Sequence, residues 1–147
     1  RHAELTSAEL FEEFEKAYVN VFDYIDITTA EFSESAKNRD EEGINVDMNV
    51  RILDEFYRFT ASGNGHLDAV SNGLKKSPYT FNYKFITYSE HALSGESSSK
   101  AAAYVCIESE NGKQYWGVGT HSDIILASVN ALVSALCRMN REDHFVE

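Results

Sequence analysis

The alternation of apolar and polar positions divides the chain into two runs with the same order of elements. Thr6 and Glu9 form a capping-box pair, and Leu10, Phe14, Ala17, Tyr18 and Val21 then recur at helical spacing against Glu12, Glu13, Glu15 and Lys16. This predicts an amphipathic helix over 7–20. From Phe22 the period changes. "FDYIDITTAEF" is rich in β-branched and aromatic residues and predicts a strand, and the polar "ESAKNRDEEG" after it predicts an exposed, mobile loop. Val46, Met48, Val50 and Ile52 alternate with Asp47, Asn49 and Arg51, as in a half-buried antiparallel strand. "DEFYRFTAS" predicts a third strand, joined to it through a tight connection at Asp54 and Glu55. Gly63 and Gly65 break that strand, and Leu67, Val70 and Leu74 mark one face of a short helix closed by Lys75, Lys76 and Pro78.

The second run repeats this plan. Tyr79, Phe81, Tyr83 and Phe85 alternate with Thr80, Asn82 and Lys84, "SKAAAYVCIES" predicts a further strand, and Asn111-Gly112 predicts a hairpin turn into "KQYWGVG". Ser122 is placed to cap a helix with an apolar stripe at Ile125, Val129, Leu132, Val133 and Leu136. The expected fold is therefore α+β: two βββα units, an internal duplication of antiparallel sheets with helices, preceded by an N-terminal connector helix. Residues 1–21 form the connector and 22–147 the domain. Each Gly-x-Gly, at 63–65 and 117–119, is expected at a strand-to-helix junction.

Composition narrows the class. A chain of 147 residues with 43% hydrophobic content can build one core. Net charge is −11, and 15 acidic against 6 basic side chains fall in residues 1–60. Without a basic stripe to displace counterions, nucleic acid is not an expected partner. Cys106 and Cys137 sit in apolar runs with no CxxC spacing, as buried reduced thiols of a cytosolic protein do. No apolar run approaches the ~20 residues that span a bilayer and no signal-peptide core opens the chain, so the expected location is the cytoplasm, with no membrane partner. The chain begins without Met in a polar stretch that runs into a helix, as a piece of a longer polypeptide would.

A helix start offers unpaired N–H groups and the positive end of a dipole, and glycine lets a ligand approach the backbone. Two such starts suit a small carboxylate, with donors from Gly63 to Leu67 and from Ser122 to Ile124. The motif is not a dinucleotide fingerprint, and turn chemistry alone also explains the glycines. Glu90 beside His91 has no second histidine at ligand spacing, and adjacent strand residues face opposite ways, so no metal site is expected. His121, Ser122 and Asp123 are consecutive and cannot form a catalytic triad. Ala101, Ala102 and Ala103 leave space beside a sheet, for a closely packed helix or for a ligand side chain.

"SGNGHLDA" (62–69), "YSEHAL" (88–93), "AAAYV" (101–105) and "WGVG" followed by "DIILASVNALVSALCR" together resemble the C-terminal regulatory domain of 2-isopropylmalate synthase. The resemblance covers about residues 45–140. It implies a paired βββα fold that dimerises and binds L-leucine for feedback inhibition of leucine biosynthesis. It further implies that this chain is a fragment of an acyltransferase, without cofactor and inactive alone. The catalytic barrel of the same polypeptide, with its divalent metal, would lie outside it. Carried over by motif, the leucine site would use Gly63, Gly65 and Leu67, Tyr88, His91 and Ala92, Ser99 and Ala101, and Ile124; the chemistry of the residues adds Asp68 or strand carbonyls as acceptors for the effector's ammonium. Two positions depart from the family pattern: His66 replaces a proline, and Ser99-Lys100 replaces a small pair. The isoleucine-binding domain of citramalate synthase and a dimerisation module without effector remain alternative readings.

Overall fold

The computed structural model describes residues 18–34, 43–92 and 100–144. Within them lie β1 (Ile25–Glu34), β2 (Ile44–Ile52), β3 (Glu55–Gly63), α1 (His66–Leu74), β4 (Tyr83–Ala92), β5 (Ala101–Ser109), β6 (Gln114–His121) and α2 (Ile124–Asp143). The strands form two antiparallel sheets in the orders β1-β2-β3 and β4-β5-β6, each followed by its helix. The βββα duplication is therefore present, and its period is regular: α1 and α2 begin 58 residues apart, at His66 and Ile124. Most of the helix expected over 7–20, and the loop after Glu34, lie outside the described residues. Where that helix is described it has ended early. Val19 pairs with Val118 of β6, and Asn20 has left helical geometry at φ 49°.

The alternating apolar residues of β2 point inward as their spacing demands, with Val46, Met48, Val50 and Ile52 buried. β1 holds more apolar residues inward than strict alternation allows. A bulge between Ile27 and Thr29 shifts the phase, so that Ile25 and Ile27 before it and Ala30 and Phe32 after it all pack on the core. β4 carries the same device at the same repeat position, between Phe85 and Thr87. The β2–β3 turn is Leu53-Asp54 rather than Asp54-Glu55, because Glu55 already pairs with Ile52. β4 also starts later than the alternation from Tyr79 suggests. Phe81 is buried ahead of the strand.

α2 is the central element. Every residue from Ala131 to Cys137 is buried, so the helix is enclosed on all sides rather than along one stripe. One side lies against β6 at very close range. A Cβ built on Gly119 would fall 2.0 Å from the Ala127 carbonyl oxygen, and one on Gly117 would fall 2.1 Å from that of Ala131. Gly117 and Gly119 thus sit within β6 and admit the helix backbone, and the second Gly-x-Gly is not a strand-to-helix junction. Ala101 and Ala103 of β5 belong to the same core. The alanine strand serves close packing.

The segment before β1 is laced onto this core. The Asn20 amide nitrogen donates to the Val118 carbonyl at 2.9 Å, its side chain bonds Thr120, and the Val21 amide donates to Ser134 Oγ at 2.8 Å. Tyr83 joins the units: its buried hydroxyl meets Ser71 of α1, and burial pushes the phenol pKa up. Among the described residues no helix is long and apolar enough to cross a membrane.

Cys106 and Cys137 are both fully buried and unpaired. Burial pushes the Cys137 thiol up to about 12, and burial likewise raises Cys106. The thiolate is the reactive form. A maleimide at about pH 8 is therefore expected to label neither cysteine in the folded protein and both in denaturant, as read by intact mass. Rapid labelling of the folded chain would contradict this packing.

Candidate functional site

The two helix starts and β4 enclose a cavity of about 350 Å³, within the range of about 300–1,000 Å³ usual for small-molecule sites. Leu67 of α1 and Ile125 of α2, which occupy the same position in the two repeats, form two of its walls. Phe85 and Tyr88 of β4 form a third, and Gly65, His66, Asp68 and Ser128 complete it. The β4 bulge makes this possible. Phe85 and Tyr88 are three residues apart and would face opposite ways on a regular strand, yet here both face the cavity. A larger depression on the first sheet, about 750 Å³, is lined by Glu31, Asn45, Asp47, Asn72 and Lys76 among others, and by none of the residues assigned to the leucine site.

The two helix starts differ at the same repeat position. Asp123 caps α2, its Oδ1 accepting from the Ile125 and Leu126 amides at 2.8 and 3.3 Å. Ser122 does not act as the cap. The equivalent residue of α1 is Gly65, which offers no side-chain cap. The first hydrogen bond within α1 runs from the Ala69 amide to the Gly65 carbonyl, so the N–H groups of His66, Leu67 and Asp68 precede the helical ladder. α1 therefore presents donors and the positive end of its dipole to the cavity. α2 already has its Ile125 and Leu126 amides bonded to Asp123. Asp123→Ala should cost about 1 kcal/mol of stability, the usual worth of such a cap, and urea denaturation measures it. A loss below a few tenths of that would show the cap to be idle.

Asp68 rims the cavity, but its Oδ2 already accepts from the Asn64 amide at 2.8 Å and closes the turn before α1. The His66 ring meets the edge of Phe32 of β1 with centroids 4.8 Å apart. On the far wall the Tyr88 hydroxyl lies 2.5 Å from Glu90 Oε2 and 2.8 Å from Ser128 Oγ. Burial, then the hydrogen bond to Glu90, pushes the Tyr88 phenol pKa up, so this group stays a donor to the carboxylate.

Residues 4–140 match the family model of the LeuA allosteric (dimerisation) domain. The chain belongs to this family. It is similar to the 2-isopropylmalate synthase of Helicobacter hepaticus, 36% identical over 142 residues, covering 94% of this chain and 25% of that protein. It is 34% identical over 141 residues to that of Desulfitobacterium hafniense, covering 96% of this chain and 24% of that protein. With the enzyme of Clostridium acetobutylicum it shares 43% identity over 106 residues, 71% of this chain and 19% of the relative. The chain thus spans about a quarter of the length of the first two relatives, and the match covers about a fifth of the third.

Of the residues that the sequence assigns to an effector site in this LeuA domain, Gly65, Leu67, Asp68 and Tyr88 come together around the cavity. Gly63, Ala101 and Ile124 do not line it. A Cβ on Gly63 would fall 2.5 Å from the Ala69 amide nitrogen, so this glycine lets β3 pass close to α1. Ala101 is buried in the α2 core, and Ile124 is half-buried beside Ile125, which takes the wall position. His91 and Ala92 belong to β4, opposite Ala102 and Ala101. Ser99, and the side chains of His91 and Ala92, lie outside the described residues. His66, Ile125 and Ser128 escape motif matching. Ile125 is legible only by counting 58 residues on from Leu67.

Proposed function

We propose that this LeuA domain is the amino-acid-sensing regulatory part of a 2-isopropylmalate synthase and that it binds L-leucine in the cavity between its two βββα units. The observation that carries the reading is the uncapped start of α1 opening onto a space walled by Leu67, Phe85 and Ile125. A leucine carboxylate would meet the amides of α1, and its isobutyl group would lie against the apolar walls. The chain needs no cofactor for this, and the divalent metal of the reaction would belong to a catalytic barrel elsewhere in the same polypeptide. The domain would act as a homodimer, in keeping with the family's description. Trp116, 44% exposed on the face of β6 opposite Gly117, offers apolar surface to the second copy.

Feedback inhibition needs the bound and free states to differ in energy at the junction. The cavity lies where that difference can arise, because its walls belong to both units. The segment at 18–21, bonded to β6 and α2, is the covalent route by which a change in the packing of α2 would reach a preceding domain.

Titration calorimetry of the 147-residue chain with L-leucine, L-isoleucine and L-valine tests the reading. Saturable binding with leucine tightest is expected. The margin over isoleucine should be about 1–3 kcal/mol, as moving one methyl allows. Tighter binding of isoleucine would move the chain to the isoleucine-sensing branch, and no saturable heat with any of the three would leave a dimerisation module alone.

A further inference from the structure

We infer that Glu90 is the positioning residue that makes this cavity select a protonated α-amine, acting through the Tyr88 and Ser128 hydroxyls. The inference rests on reading the cavity as the leucine site and adds what recognises the amine.

An ionised carboxylate only accepts, so the Tyr88 hydroxyl, 2.5 Å from Glu90 Oε2, gives its one hydrogen to Glu90. Ser128 Oγ lies 3.0 Å from the Ile124 carbonyl, 2.8 Å from Tyr88 Oη and 3.5 Å from Glu90 Oε2, and all three are acceptors for it. Whichever it chooses, neither hydroxyl has a hydrogen left for a ligand. The wall formed by Tyr88 and Ser128 therefore offers lone pairs only, with a negative charge one hydrogen bond behind them. A group bound there must be a donor, and a cation is favoured over a neutral one.

Across the cavity the His66, Leu67 and Asp68 amides at the start of α1 are donors. The Asp68 carboxylate beside them is a second acceptor, with its Oδ2 already bonded to the Asn64 amide. A donor end, an acceptor end and apolar walls between them match a zwitterion with an aliphatic side chain, and not a simple carboxylic acid.

The test compares Kd values for L-leucine and for 4-methylpentanoate, which is leucine without its amine, in the wild-type chain and in Glu90→Gln and Glu90→Asp variants. Glu90→Gln should weaken L-leucine by at least about ten-fold, the effect of losing a charge-assisted contact. The same variant should leave 4-methylpentanoate within about two-fold, so that the preference for the amine collapses. Glu90→Asp should restore part of that preference. A merely structural role would weaken both ligands together, and that result overturns the inference, as does leucine binding unchanged in Glu90→Gln. A wild-type chain that binds no leucine would instead sink the reading of the cavity itself.

Discussion

Gly119→Val is expected to unfold the domain or to cost it at least ~3 kcal/mol. Even the first carbon of a side chain at this position would lie 2.0 Å from the Ala127 carbonyl oxygen and 2.3 Å from the Ala131 amide nitrogen. These are backbone atoms of a helix buried on all sides, so relief requires α2 to move away from β6 as a body. Overpacking of a tight core costs about 1–3 kcal/mol even where side chains can yield, and here nothing flexible stands in the way. Domains are stable by only ~5–15 kcal/mol, so one such change takes a large share. Urea denaturation followed by circular dichroism measures it. A loss under about 1 kcal/mol would mean that α2 does not ride directly on β6.

The second large effect concerns binding. Ile125→Asp should lower the affinity for L-leucine about 100-fold while leaving the fold intact, a change of ~2.7 kcal/mol. Ile125 is half-buried on the cavity wall, and a carboxylate there would meet both an apolar side chain and the ligand's own negative charge. The helix itself should tolerate the change, because an acidic residue in the first turn complements the dipole. Calorimetry and a melting curve of the same variant separate the two effects. Binding retained at wild-type strength would place the ligand elsewhere.

Much of the architecture is legible in the chain, and the parts that are not have specific causes. The unbroken alternation of β2 exposes its inner face because every second residue from Val46 to Ile52 is apolar. Asn111-Gly112 announces the β5–β6 hairpin because its backbone needs a positive φ, 85° at Gly112. The bulges in β1 and β4 escape because a strand template assumes constant phase, and a single inserted residue reverses every face beyond it. In β1 the slip could have been noticed, since Ile25 and Ile27 give way to Ala30 and Phe32. In β4 the exposed, polar Glu90, on the same face as Tyr88, hides it. The two Gly-x-Gly stretches mislead because they look alike and do different work: Gly63 and Gly65 flank the turn into α1, whereas Gly117 and Gly119 give α2 its close approach. Aligning the repeats on helix starts instead pairs Gly65 with Asp123, and the functional asymmetry of the two junctions then becomes visible.

The asymmetry can be measured directly. Backbone amide chemical shifts of the labelled chain, followed as L-leucine is added, should move most at His66, Leu67 and Asp68. Leu126, already bonded to Asp123, should stay nearly still. Saturable shifts centred on the start of α2 with α1 unmoved, or no saturable shifts at all, would contradict the assignment of the effector's carboxylate to the open helix start.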